Sequence, residues 1–342
     1  EMVRSDWSSD VCSSDLLDEI QRLPQLLSYV QGIVDADGRH GLFILTGSHQ
    51  PLLHQNIIQS LAGRTSLQTL WPFSLPELRH YRKRWKPYDL MVRGGFPRIH
   101  KERLDTRRFY SNYVQTYVER DVRAMLQLRS LSQFQNFLVL LAGRTGQLLN
   151  YTSLANDVGV SNDTIRNWIS ILKASYILYE LPPYFENIGK RVIKASKIYF
   201  TDTGLATFLL GIHEADQAAR DPLRGSLYEN LVLMEIIKGG CNRGIRPELY
   251  FFRDSNGNEV DVILRERGML YPLEIKSAAT FSTHFVKGLE RFRALNPERC
   301  LPGAVLYDGM QSQSFKDMAV LNPLEVDDLW DTLISSVEFL NQ

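Results

Sequence analysis

Around residue 256 the sequence permits little besides a β-hairpin. Residues 248–252 are strand-like, and Asp254-Ser255-Asn256-Gly257-Asn258 is a polar turn. Residues 259–264 and 271–276 then alternate in character. Side chains point to opposite sides of a strand in turn, so Val260, Val262 and Leu264 are expected on one face, with Glu259 and Asp261 on the other. In the next strand Leu273 and Ile275 point one way, Glu274 and Lys276 the other. The expected sheet has one apolar face and one face bearing Asp261, Glu274 and Lys276. Upstream, residues 225–237 read as a mostly apolar helix interrupted by Glu229-Asn230, with Glu229 among Leu227, Tyr228, Leu231 and Val232. Carboxylates that converge without a counter-charge are destabilising by several kcal/mol each, so a metal or a lysine partner is expected beside them.

A helix acid followed by D…E-x-K on adjacent strands resembles the PD-(D/E)XK nuclease fold, with Glu229, Asp261, Glu274 and Lys276 filling its four positions in order. The resemblance implies that the three carboxylates bind Mg²⁺ and that Lys276 positions the water or steadies the transition state. Two other readings stay open: a surface hairpin with solvated acids, and an inherited but inactive fold that serves as a docking module. Residues 281–295 read as a capping helix, 301–307 as a last strand and 324–340 as an amphipathic segment.

The middle of the chain carries a helical pattern. Ile165, Trp168, Ile169 and Leu172 recur at i, i+3, i+4, i+7 after the N-cap Ser161, and residues 153–160 form a short helix with a glycine turn. That is a helix-turn-helix. Strands at 176–181 and 197–200 flank a loop with Lys190, Arg191, Lys194 and Lys197, so the unit reads as winged. Its exposed helix offers Arg166 and Asn167. Together with Lys190, Arg191 and Lys194, these are the candidate DNA contacts, since Asn and Arg read base edges and basic wings hold phosphate. A packing module is the bland alternative, and Asp163 near the tip favours it. The stretch 79–108 is rich in Arg and Lys and reads as a solvated lid or a phosphate-contacting patch. Residues 109–126 form an amphipathic helix with Tyr110, Tyr113 and Tyr117 at packing spacing.

Near the start, Asp18-Glu19-Ile20-Gln21 precedes a helix-like stretch at 26–34. Leu42-Phe43-Ile44-Leu45 follows, a buried-strand run ending in Thr46-Gly47-Ser48. Ligands of α/β sheets bind at the carboxyl ends of strands, where Asp18, Glu19 and Ser48 would sit. This order resembles the AAA+-like ATPases that carry a C-terminal domain of unknown function with a nuclease-like fold. The resemblance makes Asp18 the Mg²⁺-holding Walker B carboxylate, Glu19 the residue that polarises water, Ser48 the sensor and Arg64, in Leu61-Ala62-Gly63-Arg64-Thr65, an arginine near the γ-phosphate or a neighbouring subunit. Pro72-Phe73-Ser74-Leu75-Pro76-Glu77-Leu78 matches the return into the lid. No G-x-x-x-x-G-K-[ST] occurs among the residues. Residues 6–16, DWSSDVCSSDL, resemble the translation of a sequencing-adapter oligonucleotide, so residues 1–16 are expected to be an artefact and the ATPase part to be N-terminally truncated.

The chain has 342 residues, and 39 basic residues balance 39 acidic ones, so no whole-molecule charge drives it to nucleic acid or membrane. Any such contact must be a local patch. Cys12, Cys241 and Cys300 form neither a disulfide framework nor a metal spacing, and no apolar run approaches the roughly 20 residues of a membrane span. A cytoplasmic location without membrane contact is expected. The fold class is α/β. An ATPase remnant and lid occupy 17–108, a helical and winged region 109–215, a nuclease-like domain 216–325 and a C-terminal helix 326–342. The expected function is that of an ATP- and Mg-binding ATPase, with ATP bound only in the longer parent. DNA and self-association through the ATPase part are the expected partners. A Mg-dependent DNA nuclease and a non-enzymatic interaction module are the alternatives.

Overall fold

The computed structural model describes residues 14–47, 61–118, 131–184 and 195–340. The chain divides into two compact units, 1–67 and 68–342. Ser48, Lys190, Arg191, Lys194, Cys12 and most of 6–16 lie outside the described residues.

In the first unit, strand β1 (Asp15–Leu17) runs parallel to β2 (Phe43–Leu45), and helix α1 (Leu26–Asp37) forms the crossover between them. The apolar run at 42–45 thus forms a parallel strand, but not the buried one expected, since Ile44 is exposed; Asp15 and Leu16 belong to β1. Gly38 ends α1 at φ 71°, a left-handed conformation that glycine adopts without a Cβ penalty. Ile20, Leu27, Val30 and Leu61 make a small core.

The second unit begins with helices α2 (Leu75–Leu78), α3 (Pro87–Arg93), α4 (Pro97–Lys101) and α5 (Thr106–Tyr113). Ser74 and Glu77 close a reciprocal capping box at α2. Part of the basic stretch at 79–108 is tied down by other residues of this unit. Arg79 donates to the carbonyls of Leu324, Val326 and Asp327, while Arg82 meets Asp89 and Arg98 meets Glu102. Gly94 sits at φ 66°, where a Cβ would fall 2.1 Å from the Tyr110 hydroxyl. The buried Asp202 carboxylate accepts from Gly95 N at 2.7 Å, Tyr110 Oη at 2.6 Å and Leu205 N at 3.0 Å. The glycine pair is therefore a close-packing device as well as a turn.

Helices α6 (Leu131–Ala142), α7 (Tyr151–Val158) and α8 (Asn162–Ala174) follow, then the antiparallel ladder of β3 (Leu178–Leu181) and β4 (Lys197–Phe200). Asn150 and Ser161 cap α7 and α8 through their side chains. Ile165, Trp168, Ile169 and Leu172 are all buried, as their spacing demands. After the short helices α9 (Thr203–Leu209) and α10 (Ala215–Arg220), the long helix α11 (Arg224–Cys241) leads into a six-stranded sheet.

That sheet has the order β5-β6-β7-β8-β10-β9. Strands β5 (Glu248–Arg253), β6 (Glu259–Glu266) and β7 (Met269–Lys276) form an antiparallel meander, and helix α12 (Lys287–Leu295) then crosses to β8 (Ala304–Tyr307), parallel to β7. The β5–β6 turn is closed by Asp254, whose carboxylate accepts from Asn256 N and Asn258 N. Two strands lie beyond the one expected at 301–307: β9 (Gln313–Phe315), at the rim, and β10 (Met318–Leu321). Beside the opposite rim, Phe251 on β5 exchanges hydrogen bonds with Pro182 O and Tyr184 N. Helix α13 (Leu329–Leu340) packs on α11. No helix among the described residues is long and apolar enough to cross a membrane.

One expectation about this sheet fails. It was to have an apolar and a polar face, yet both faces are covered. Val262, Leu264, Leu273 and Ile275 join α11 in one core, whereas Val260, Ile263 and Leu270 join Leu289 and Phe292 of α12 in another. The β5–β6 register shifts between Tyr250 and Phe252, so Phe252 pairs with Val260 while Tyr250 pairs with Ile263. This irregularity breaks the alternation at Asp261 and Val262. Asp261, Glu274 and Lys276 gather at one end of the strands, while Glu248 and Arg265 pair at the other.

Candidate functional site

In the first unit, β1 ends at Leu17 and β2 at Leu45, so Asp18 and Thr46 stand at the carboxyl ends of two adjacent parallel strands. The Thr46 hydroxyl donates to the Asp18 carboxylate. Glu19 follows at φ 53°, a left-handed conformation uncommon for a non-glycine residue, and its carboxylate lies 3.8 Å from Arg22. Arg64 pairs with Asp35 through Nε at 2.5 Å and Nη2 at 3.2 Å.

The second unit gathers the four residues singled out in its C-terminal third, and adds three. Asp261 accepts from Ile275 N at 2.8 Å, a backbone donor just past the last β6–β7 pair, Val262 with Leu273. Lys276 Nζ lies 3.3 Å from Asp261 and 2.5 Å from Glu274. Glu229 reaches the same place from α11. Its partners come from β4: Tyr199 Oη donates to it at 2.5 Å and Lys197 Nζ at 3.0 Å. Lys197 also lies 2.6 Å from Glu259 and 3.9 Å from Asp261.

Lys197, Tyr199 and Glu259 are the residues that sequence reasoning left out of the site. Lys197 was counted with the basic wing and as the start of the strand at 197–200; it does open β4, but its side chain is only 3% exposed. The signal was there in the alternation. Lys197 and Tyr199 are two apart and share one side of the strand.

Burial shapes the chemistry. It pushes the Glu229 carboxyl up to about 7 against the pull of Lys197, and burial followed by the nearby Asp261 pushes Glu274 up to about 8. One Glu274 oxygen, Oε2, is buried and has no hydrogen-bond partner. For both lysines burial works against the charged form, but the surrounding carboxylates outweigh it and hold their pKa values above the ordinary lysine value. Four carboxylates thus face two ammonium groups.

The donor set suits a hard divalent cation by type, but its arrangement does not. Among the described residues no three His, Cys, Asp or Glu side chains are disposed to hold a metal ion. Ammonium groups stand where the carboxylates converge. No cleavage step through a metal is derived from this arrangement.

On α8, Arg166 and Asn167 are exposed, and the Arg166 guanidinium lies 4.2 Å from the Tyr151 ring centroid.

An AAA domain model matches residues 12–79, a domain of unknown function (DUF8612) matches 84–216, and a second domain of unknown function (DUF4143) matches 224–326. An uncharacterized protein of Mycobacterium tuberculosis is 30% identical over 266 residues, covering 77% of this chain and 58% of the relative. One from Haemophilus influenzae is 23% identical over 258 residues, 70% of this chain and 60% of that protein. A third, from Methanocaldococcus jannaschii, is 31% identical over 211 residues, 57% of this chain and 42% of its own length. The chain thus spans about three fifths or less of the curated relatives it matches. No solved structure matches.

Proposed function

We propose that Asp18 and Glu19 are the working carboxylates of an ATP hydrolysis site, a reading supported by the AAA domain model that matches residues 12–79. The observation that carries this reading is the position of Asp18 and Thr46 at the ends of paired parallel strands, with the threonine hydroxyl on the carboxylate. Mg²⁺ and ATP supply the phosphoryl group to be transferred and its charge neutralisation. Asp18 would hold the ion with the oxygen that Thr46 leaves free, and Glu19 would orient and polarise the attacking water. Ser48 and Arg64 keep their proposed roles as sensor and as an arginine at the γ-phosphate or a neighbouring subunit.

A phosphate cradle of backbone N–H groups and a lysine is needed as well, and the 342 residues contain no G-x-x-x-x-G-K-[ST]. ATP binding is therefore assigned to a longer protein that carries this module. The test is hydrolysis by a longer protein that carries this module together with a phosphate-binding loop, alongside its Glu19→Gln variant. We expect turnover that falls at least 100-fold in the variant while ATP stays bound. ATP bound without turnover by the unsubstituted protein would retire the reading.

A second reading concerns Glu229, Asp261, Glu274 and Lys276, whose convergence favours a Mg-dependent DNA nuclease. The lysines among the carboxylates favour the competing view, a non-enzymatic interaction module. Mg²⁺-dependent cleavage that Lys276→Ala abolishes supports the nuclease, and its absence supports the module. Helices α6–α8 with the β3–β4 ladder would be the DNA-binding or regulatory winged helix, in a cytoplasmic protein that self-associates through its ATPase part.

A further inference from the structure

We propose that the Lys197 ammonium is the resident cation of the acidic cluster, and that strand β4, which carries it, closes the cluster to divalent metal ions. The geometry is specific. Lys197 Nζ meets Glu259 at 2.6 Å, Glu229 at 3.0 Å and Asp261 at 3.9 Å. Its side chain is 3% exposed, and Nζ stands 5.5 Å from the Phe251 ring centroid. A divalent ion takes carboxylate oxygens at about 2.0–2.6 Å. An ion shared by Glu229 and Asp261 would need the volume that Nζ fills and would meet its charge at close range.

The lysine is not a loose tether. Tyr199, two residues along the same strand, holds the Glu229 oxygen that Lys197 holds. Asn230, the next residue on α11, pairs with the Phe200 backbone. Lys197 cannot swing out alone without leaving the buried Glu229 carboxylate short of a counter-charge. Opening the cluster therefore means lifting β4, so the ladder of the helical region and the acidic cluster share one conformational state. The inference rests on the cluster described above and opposes the nuclease reading of it: Mg²⁺-dependent cleavage that Lys276→Ala abolishes would overturn it too.

The experiment uses the full chain. Calorimetric titration with Mn²⁺ at millimolar concentration is expected to give no Asp261-dependent binding to the unsubstituted protein. Lys197→Met is expected to gain a site with at least tenfold higher affinity, lost again when Asp261→Asn is added. Stoichiometric, Asp261-dependent Mn²⁺ uptake by the unsubstituted protein overturns the proposal, as does a folded Lys197→Met protein that gains no site. Should that variant not fold, amine acylation followed by mass spectrometry decides on the unsubstituted chain. Lys197 is expected to react at least tenfold more slowly than the exposed Lys101 and Lys287. Equal rates overturn the proposal.

Discussion

The Asn230 carboxamide pairs with both backbone groups of Phe200: Phe200 N donates to Oδ1 at 2.9 Å, and Nδ2 donates to Phe200 O at 2.7 Å. Thr145 Oγ1 donates to the same Oδ1 at 2.8 Å, and Asn230 is fully buried. A helix side chain thus serves β4 as a neighbouring strand would. Asn230→Ala strands an N–H, a carbonyl and a hydroxyl in the interior, each worth about 1–3 kcal/mol but not additive. The expected loss is about 2–4 kcal/mol in urea unfolding. A loss under about 1 kcal/mol would mean that water replaces the amide readily.

Gly94 should tolerate no side chain. Alanine there adopts a left-handed φ and places its Cβ against Tyr110 and Asp202. Left-handed backbone costs about 1–2 kcal/mol and overpacking about 1–3. Thermal unfolding of Gly94→Ala should show a loss of about 2–5 kcal/mol. A neutral result would show that the Tyr110–Asp202 pair moves aside freely.

His100 is buried, with Nε2 2.8 Å from Gly94 O. Burial holds its pKa below the ordinary value of 6.5, and the nearby Arg93 and Lys238 act the same way against Gly94 O and Asp202. The folded state then binds fewer protons than the unfolded state as pH falls below 6.5. Stability from this group is full above that pH and is lost as pH falls through the folded-state value. The stability gap between the unsubstituted protein and His100→Gln should be larger at pH 7.5 than at pH 5. Parallel pH profiles for the two proteins would contradict this.

If α8 contacts DNA, Arg166 and Asn167 do so from its exposed side. Arg166→Ala or Asn167→Ala should then weaken binding about tenfold, in line with about 1–3 kcal/mol for a base contact. Gel shifts at two salt concentrations read this out, and binding that ignores both substitutions moves the interface elsewhere.

What the sequence shows of this protein is local. The turn at Asp254–Asn258 announces itself because Asp254 bonds to residues two and four positions away. The buried stripe of α8 follows from helical period alone, whereas the strand that ends before Asp18 includes Asp15 and Leu16, residues that the sequence alone sets aside. Lys197 was legible as a basic residue but not as a buried one. A lysine is solvated by default, and only the convergence of α11, β4 and β6 supplies three carboxylates within reach. The expectation of a polar sheet face failed for a related reason. Strand alternation says which residues share a side, but it does not say that α12 returns to cover the second side or that a register shift intervenes at Asp261. Strands β9 and β10 were missed because three or four residues carry too little pattern.

The two rims of the six-stranded sheet bear on how this protein meets others. A bare strand edge is an invitation to another chain, since its unpaired N–H and C=O groups template one more strand. Here the β5 rim has Phe251 already engaged by the Pro182–Tyr184 segment, and prolines at 182 and 183 bring no N–H of their own. The β9 rim is three residues long. Among the described residues, one rim is interrupted at Phe251 and the other is short, and both features disfavour fibre-like growth through the sheet.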